Sequence, residues 1–281
     1  MSRLNKSLFG LVAISASTSA TSVGNSSVMP QLPLLVSHSA SSSATTISNK
    51  TADRTKRVAE AKEIIRAADI VCFDVDSTVI QEEGIDELAE YCGKGQEVAN
   101  LTREAMGGTM TFQEALRRRL DIIKPSQKQI RDFLRTTPST LSPGINEFIQ
   151  HLKNENKKVY FISGGFHSLI DPVAQELGIP LTNLFANKLW FDYKGNYGGF
   201  DVNQPTSRSG GKGEAITQIR NFNSSQLQAN TQSKIVMIGD GATDLESSPP
   251  ADYFIGYGGN VVRESVRERA QYFVTDFMQL M

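Results

Sequence analysis

The chain has 281 residues, 39% of them hydrophobic, and Lys and Arg nearly balance Asp and Glu to leave a net charge of −1. That composition can bury one large domain with an insertion, or two domains. It excludes the broad positive field that holds nucleic acid or an anionic membrane, so any anionic ligand must be met by a few placed cations.

Residues 1–52 are rich in Ser, Ala and Thr, carry Arg3, Lys6 and Lys50, and contain no acidic residue. This is the pattern of a disordered transit peptide, and its Ser/Thr richness points to the chloroplast or plastid stroma ahead of the mitochondrion. The apolar runs Leu8 to Ile14 and Leu32 to Val36 are too short to span a bilayer, and no later stretch reaches about 18 apolar residues. The cysteines, Cys72 and Cys92, have no metal-ligand spacing and form no disulfide framework, and are expected as buried thiols in a reducing compartment.

From residue 53 to 68 charges alternate around Val58, Ala61, Ile64 and Ile65 at helical spacing, so a helix leads into the apolar run Ile70 to Phe73. That run reads as a buried strand ending in Asp74 and Asp76. In an open parallel sheet the carboxyl ends of the strands form the ligand crevice, and two carboxylates there repel unless a cation or proton intervenes. Ile85, Leu88, Ala89 and Cys92 then recur at helical spacing, and helices continue to about residue 137. Among them Phe112, Ala115, Leu116, Leu120 and Ile123 form a stripe with Arg119 at its centre, while Arg117 and Arg118 point away. An inward guanidinium needs an anion.

Ser142-Pro143-Gly144 reads as a helix start with Ser capping and Pro in the first turn. A second strand, Val159 to Ile162, ends in Ser163-Gly164-Gly165, and a helix through Ile170, Val173, Ala174 and Leu177 follows and stops at Gly178. Residues 184 to 203 read as short strands around Lys194-Gly195-Asn196, a hairpin with aromatic borders. Ser209-Gly210-Gly211-Lys212-Gly213 precedes another helix and is not a Walker A loop, because Gly213 stands where Ser or Thr would hold a metal. The third strand, Ile235 to Ile238, runs into Gly239-Asp240-Gly241-Ala242-Thr243-Asp244, and short strands near Tyr253 to Ile255 and Tyr272 to Thr275 complete a sheet of at least five. The expected fold is α/β, a Rossmann-like doubly wound parallel sheet with a helical cap inserted after the first strand and a small β-hairpin. The core would span 53–80 and 138–281, and the cap 81–137.

If the strands are parallel, Asp74, Asp76, Ser163, Asp240 and Asp244 meet on one edge. Carboxylates so crowded require a divalent cation, and an all-oxygen, partly hydrated set suits Mg²⁺. With Lys212, a hydroxyl and a glycine turn before a helix, the groups describe a phosphoryl site.

These motifs, in this order, resemble the four motifs of the haloacid dehalogenase superfamily. Within it, Glu82-Glu83-Gly84-Ile85-Asp86-Glu87-Leu88, Ala105-Met106-Gly107-Gly108, Ile162-Ser163-Gly164-Gly165-Phe166 and Ser209-Gly210-Gly211-Lys212-Gly213 resemble the phosphoserine phosphatase family, over about residues 55 to 281. The resemblance implies hydrolysis of O-phospho-L-serine, the last step of phosphorylated serine biosynthesis, through an aspartyl phosphate on Asp74 with Asp76 as general acid and base. It implies Mg²⁺ on Asp74, the Asp76 carbonyl and Asp240, with Asp244 supporting, and phosphate oxygens on Ser163, the Gly164 N–H and Lys212. Glu83 would take the substrate ammonium and Arg119 its carboxylate, Met106 and Gly107 would close over it, and Thr243 and Arg263 would sit nearby. Many superfamily members carry Asn where Thr243 stands, which puts the role of that residue in doubt.

A phospho-acceptor switch is the rival of another class, but Asp76 would speed loss of its phosphate. A dinucleotide module fails because Gly239-Asp240-Gly241 lacks the third glycine and sets an acid where pyrophosphate would lie. A phosphotransferase side activity and a homodimer stay open. The expected partner is a small molecule, with no nucleic acid and no membrane. His151 and His167 read as surface residues at helix ends, and Asp192 and Asp201 as turn residues.

Overall fold

The computed structural model describes residues 41–106, 110–225 and 232–281. Helix α1 (Ser41–Ala67) leads into strand β1 (Ile70–Phe73), and four helices follow: α2 (Gly84–Tyr91), α3 (Gly95–Met106), α4 (Phe112–Ile123) and α5 (Gln127–Thr136). Next come α6 (Ile145–Asn154), β2 (Lys158–Phe166), α7 (His167–Glu176), β3 (Leu184–Asn187), β4 (Leu189–Phe191), β5 (Tyr197–Phe200) and α8 (Gly211–Ser224). The chain closes with β6 (Ile235–Gly239), α9 (Ala242–Leu245), β7 (Tyr253–Tyr257), α10 (Glu264–Arg269) and β8 (Tyr272–Val274).

Six strands form one sheet in the order β3-β2-β1-β6-β7-β8, and every pairing in it is parallel. Because side chains alternate across a strand, Val71 and Phe73 of β1 enter a cluster with α1, α6 and α7, while Ile70 and Cys72 enter a second with α8 and α10. A strand buried on both faces must be apolar throughout, which is why Ile70 to Phe73 shows no alternation. The order reverses at β1, whose neighbours β2 and β6 run outward in opposite directions through the sequence. This is the switch point where a doubly wound sheet opens its crevice.

A third cluster joins α2 to α5 through Leu88, Val98, Leu116, Leu120, Ile130 and Phe133. Thr111 caps α4 by accepting from the Glu114 N–H, and Ser126 with Gln129 forms a capping box on α5. Phe200, Leu189, Phe191 and Tyr197 of the β4–β5 hairpin pack into this same cluster, so the hairpin shares the apolar core of the helical insert.

Several expectations need correction. Residues 41–52, read as disordered leader, belong to α1; the segment holds no Gly or Pro, so nothing stops the helix until the chain turns into β1. Residues 1–40 of the expected leader lie outside the described residues. The second strand runs on through Ser163-Gly164-Gly165 to Phe166, because β3 offers it a further partner at Asn187 after a register shift. Leu184–Asn187 is thus a sheet strand and not part of the hairpin. Ser142 does not cap α6, whose N-cap is Gly144 at φ 76°. Its hydroxyl donates to the Thr78 carbonyl at 2.6 Å, since Ser142 N–H is already drawn to Val79 O and the Ile80–Leu141 bridge holds the segment against the turn after β1. His151 and His167 are partly buried, each beside an acid four residues on, Glu155 at 3.4 Å and Asp171 at 2.9 Å. Cys72 is buried and Cys92 partly so, both as thiols, and Asp192 and Asp201 accept backbone N–H groups in turns as expected.

Phe277 closes the α6 side of the sheet, stacked on Tyr257 at 4.2 Å and on Phe148 at 5.7 Å and edge-on to Phe73 at 6.2 Å. Truncating such a ring removes its transfer energy and leaves a cavity. Phe277→Ala should lower unfolding stability by about 3–5 kcal/mol, whereas its half-exposed neighbour Met278 should tolerate Ala within about 0.5 kcal/mol, both read by urea denaturation.

Candidate active site

Asp74 follows β1 directly, and Asp240 follows β6, its hydrogen-bonded neighbour, so the two acids open onto the same edge. Asp74 is buried; its Oδ1 accepts from the Val75 N–H and from Lys212 Nζ, each at 2.8 Å. The chain then makes one tight irregular turn over Val75–Val79, in which Ser77 takes φ 54°. This turn sends Asp76 the other way, toward the insert. Its Oδ1 accepts from the Gly84 N–H at 2.8 Å and its Oδ2 from the Ser163 hydroxyl at 3.0 Å. Burial and the Asp74 charge push the Asp76 carboxyl up to about 6, against the pull of the Gly84, Ser163 and Lys212 contacts. A Cβ on Gly165 would stand 3.0 Å from Asp76 Oδ2 and 3.1 Å from Ser163 Oγ, so the bare backbone is what lets these groups meet.

Lys212, in the first turn of α8, also donates to Asp244 Oδ1 at 2.5 Å. Burial works against its charge, but Asp244 and Asp74 more than offset it and hold its pKa above the ordinary lysine value. Asp244 is completely buried, accepts from the Gly241 N–H through Oδ2, and lies so close across Gly239 that any side chain there would collide with it. Burial and the Asp74 charge raise the carboxyls of both Asp240 and Asp244. Asp74, Asp240 and Asp244 each offer an oxygen within 4.8 Å of the others. Three buried acids that share Lys212 and Arg263 are short of positive charge, and hard oxygen donors at that spacing could hold a divalent metal ion.

Arg263, the N-cap of α10, ties this acid group to the insert: its Nε donates to Asp240 Oδ2 at 2.6 Å and its Nη2 to Glu83 Oε1 at 2.8 Å. Glu83 also receives the Ser77 hydroxyl at 2.9 Å. Desolvation and the Asp76 charge push its carboxyl up to about 7, while Arg263 opposes them. Sequence reasoning missed Asn260, whose Nδ2 donates to Ser77 O, Ile80 O and Ser142 Oγ and so fastens the β1 turn. It also missed Asn187, which is fully buried and donates to Gly164 O at 2.8 Å. Both make main-chain contacts across long sequence distances, which periodicity does not record.

On the insert, Phe112 lies over the glycines of β2, 3.1 Å from where a Gly164 Cβ would stand. Arg119 is two turns further along α4 and partly buried, whereas Arg117 and Arg118 are exposed. Its Nε and Asp86 Oδ1 are both buried without a hydrogen-bond partner. Burial raises the Asp86 carboxyl and the Arg119 charge opposes the rise, so the two side chains are near enough to interact. Met106 ends α3, its side chain and all of Gly107 lying outside the described residues. Thr243 is exposed in the first turn of α9. The structure therefore brings Asp74, Asp76, Ser163, Lys212, Asp240, Asp244, Glu83 and Arg263 together, and leaves Thr243 at the rim.

Residues 68–252 match the model of the haloacid dehalogenase-like hydrolases. The chain is 66% identical over 221 residues to a phosphoserine phosphatase of Drosophila melanogaster, covering 79% of this chain and 80% of that protein. It is 48% identical over 229 residues to a chloroplastic phosphoserine phosphatase of Arabidopsis thaliana, covering 80% and 75%. A solved structure described as a phospho-aspartyl intermediate analogue of phosphoserine phosphatase superposes with a TM-score of 0.64 at 27% identity, covering 76% of this chain and 97% of that one. With its six-stranded parallel sheet, its acids at the β1/β6 switch point and a family match across most of its length, the chain belongs to the haloacid dehalogenase-like hydrolases.

Proposed function

We propose that the protein hydrolyses O-phospho-L-serine to serine and phosphate, the last step of phosphorylated serine biosynthesis, through an aspartyl phosphate. The observation that carries this is the unequal setting of two acids two residues apart. Asp74 is ion-paired with Lys212, while Asp76 is hydrogen-bonded to Gly84 and Ser163, with burial and the Asp74 charge pushing its carboxyl up to about 6. Unequal environments divide a carboxyl pair into a nucleophile and a proton carrier. Relatives named for the same activity, at up to 66% identity, support the substrate.

In this reading a carboxylate oxygen of Asp74 attacks phosphorus, the bond to the seryl oxygen breaks, and the Asp76 proton passes to that oxygen. Water then attacks the phosphoryl group as Asp76 takes its proton, and the Asp74–phosphorus bond breaks to release phosphate. Lys212, the Ser163 hydroxyl and the Gly164 N–H hold the phosphoryl oxygens. Asp74, Asp240, the Asp76 carbonyl and, in support, Asp244 would hold Mg²⁺, which when bound offsets the charge that develops on the transferring group. Glu83 and Arg119 would take the substrate ammonium and carboxylate. For Glu83 this means exchanging Arg263 for the ligand, which its part-exposed side chain makes feasible. The orphaned Arg119 Nε supports a carboxylate there. Residues 81–137 would act as a cap that excludes water, with Met106, Gly107 and Phe112 above the reacting group and Thr243 and Arg263 at its side.

No helix among the described residues is long and apolar enough to cross a membrane. Residues 1–40, basic and without acids, support an organellar address. The chloroplastic relative at 48% identity supports the plastid stroma, with the mitochondrion as the alternative. A reporter fused to residues 1–40 should enter plastids in plant cells; mitochondrial import instead would overturn the compartment and leave the chemistry intact.

Asp74→Asn should abolish turnover together with any covalently phosphorylated protein, and Asp76→Asn should lose about 10²–10⁴ in rate while retaining metal affinity. Mass spectrometry of the quenched enzyme with phosphate-release assays separates the two. Near-normal turnover by Asp76→Asn would remove it as the proton carrier. Arg119→Ala should cut kcat/KM on phosphoserine by about 10²-fold or more, the cost of leaving a buried partner unpaired, and cost little on para-nitrophenyl phosphate, which has no carboxylate. Arg117→Ala and Arg118→Ala should be near neutral on both substrates. Equal losses on the two substrates would make Arg119 a structural residue.

A further inference from the structure

The chain crosses from the sheet into the helical insert over residues 80–83 and returns over 137–141, and the two crossings run antiparallel. Ile80 faces Leu141, Ser142 N–H donates to Val79 O at 2.9 Å, and Gln81 N–H donates to Thr140 O at 2.9 Å. In a regular antiparallel pair, residues opposite each other, here Gln81 and Thr140, exchange two such bonds. The second bond is of another kind. Thr140 N–H donates to both carboxylate oxygens of Glu82, at 3.1 and 3.0 Å. A side chain has taken over one rung of the ladder at the neck of the insert.

The main chain of Glu82 is tied to the catalytic edge as well. Its carbonyl accepts the N–H of Ser77, the residue at φ 54° in the turn that carries Asp76, at 3.1 Å. The next residue, Glu83, accepts from the Ser77 hydroxyl and from Arg263, and the N–H of Gly84 after it donates to Asp76 Oδ1 at 2.8 Å. Glu82 thus joins the returning crossing to the β1 turn, and the two residues that follow it are ones the chemistry needs in place. Productive geometry is sensitive to misplacements of about 1 Å, even when their origin lies away from the reacting atoms.

We propose that Glu82 is a positioning residue for substrate specificity: by accepting the Thr140 N–H it keeps the outgoing crossing in register with the returning one, and so holds Glu83 where it meets the substrate ammonium. It acts as a hydrogen-bond acceptor and touches no substrate. The proposal rests on the reading of Glu83 as the ammonium ligand. It is tested by steady-state kinetics of the full chain with Mg²⁺ present, on phosphoserine and on para-nitrophenyl phosphate, which has no ammonium. Glu82→Ala should raise KM for phosphoserine about 5-fold or more, the scale of a lost charge-assisted hydrogen bond, and leave KM for para-nitrophenyl phosphate unchanged. Glu82→Gln keeps a side-chain carbonyl for the Thr140 N–H and drops the charge, so it should restore the KM of the unaltered protein. KM does not depend on how much of a preparation is folded. A merely structural role would therefore lower apparent kcat on both substrates and move neither KM, and that result would overturn the proposal. So would a Glu82→Gln variant as impaired as Glu82→Ala, which would make the charge of Glu82 the active feature. Glu83→Ala separates the proposal from the reading beneath it. A raised phosphoserine KM in Glu83→Ala but not in Glu82→Ala overturns the positioning role alone, whereas equal losses by Glu83→Ala on the two substrates overturn the ammonium reading and the proposal with it.

Discussion

The structure is governed by the cost of crowding acids at the one place where the sheet changes direction. Asp74, Asp240 and Asp244 gather within 4.8 Å, largely out of water, and Asp76 and Glu83 stand next to them. Lys212 and Arg263 are the side-chain cations that touch this group among the described residues. Each is set by a helix start, Lys212 in the first turn of α8 and Arg263 at the N-cap of α10. The remaining charge deficit makes the edge receptive to a metal ion, whose charge relieves the repulsion that folding has imposed and lets an anionic phosphoryl group approach. Stability is given up locally so that charge developing in the reaction meets fixed partners.

The division of labour between Asp74 and Asp76 follows from a short stretch of irregular backbone. Ser77 in the left-handed region at φ 54° lets the chain reverse within one turn, so acids two residues apart face different surroundings. An extended strand would have pointed them to the same side. Asn260 and Ser142 secure that turn from elsewhere in the chain. The strained conformation is therefore held by the surrounding structure and not by its own sequence.

Much of this could be read in the amino-acid sequence. The strands β1, β6, β7 and β8, the helices of the insert and the inward setting of Arg119 all follow from periodicity, because burial on one or two faces dictates which positions are apolar. The acids at the strand ends followed from the rule that such ends form the crevice. What escaped depended on partners distant in sequence. Asn187 and Asn260 look like ordinary loop residues until the main-chain groups they serve are known. Ser142 has the composition of a helix cap, yet the bridge between Ile80 and Leu141 claims it first. β3 was merged with the hairpin, since a strand of four residues is visible only against its neighbour. The start of α1 was missed because Ser and Thr disfavour helix only mildly, and nothing in 41–52 breaks it.

Strand order also governs how the protein is made. Ile70 of β1 pairs with Lys158 on one side and with Ile235 on the other, so the central strand gains its second neighbour only when most of the chain exists. Contacts so far apart in sequence make for slow, non-local folding. During synthesis the apolar run from Ile70 to Phe73 stays without its β6 neighbour, a segment that chaperones would have reason to shield. The same topology ensures that Asp74 and Asp240 do not meet in an unfinished chain. Phosphoryl chemistry therefore has to wait until β6 has docked beside β1.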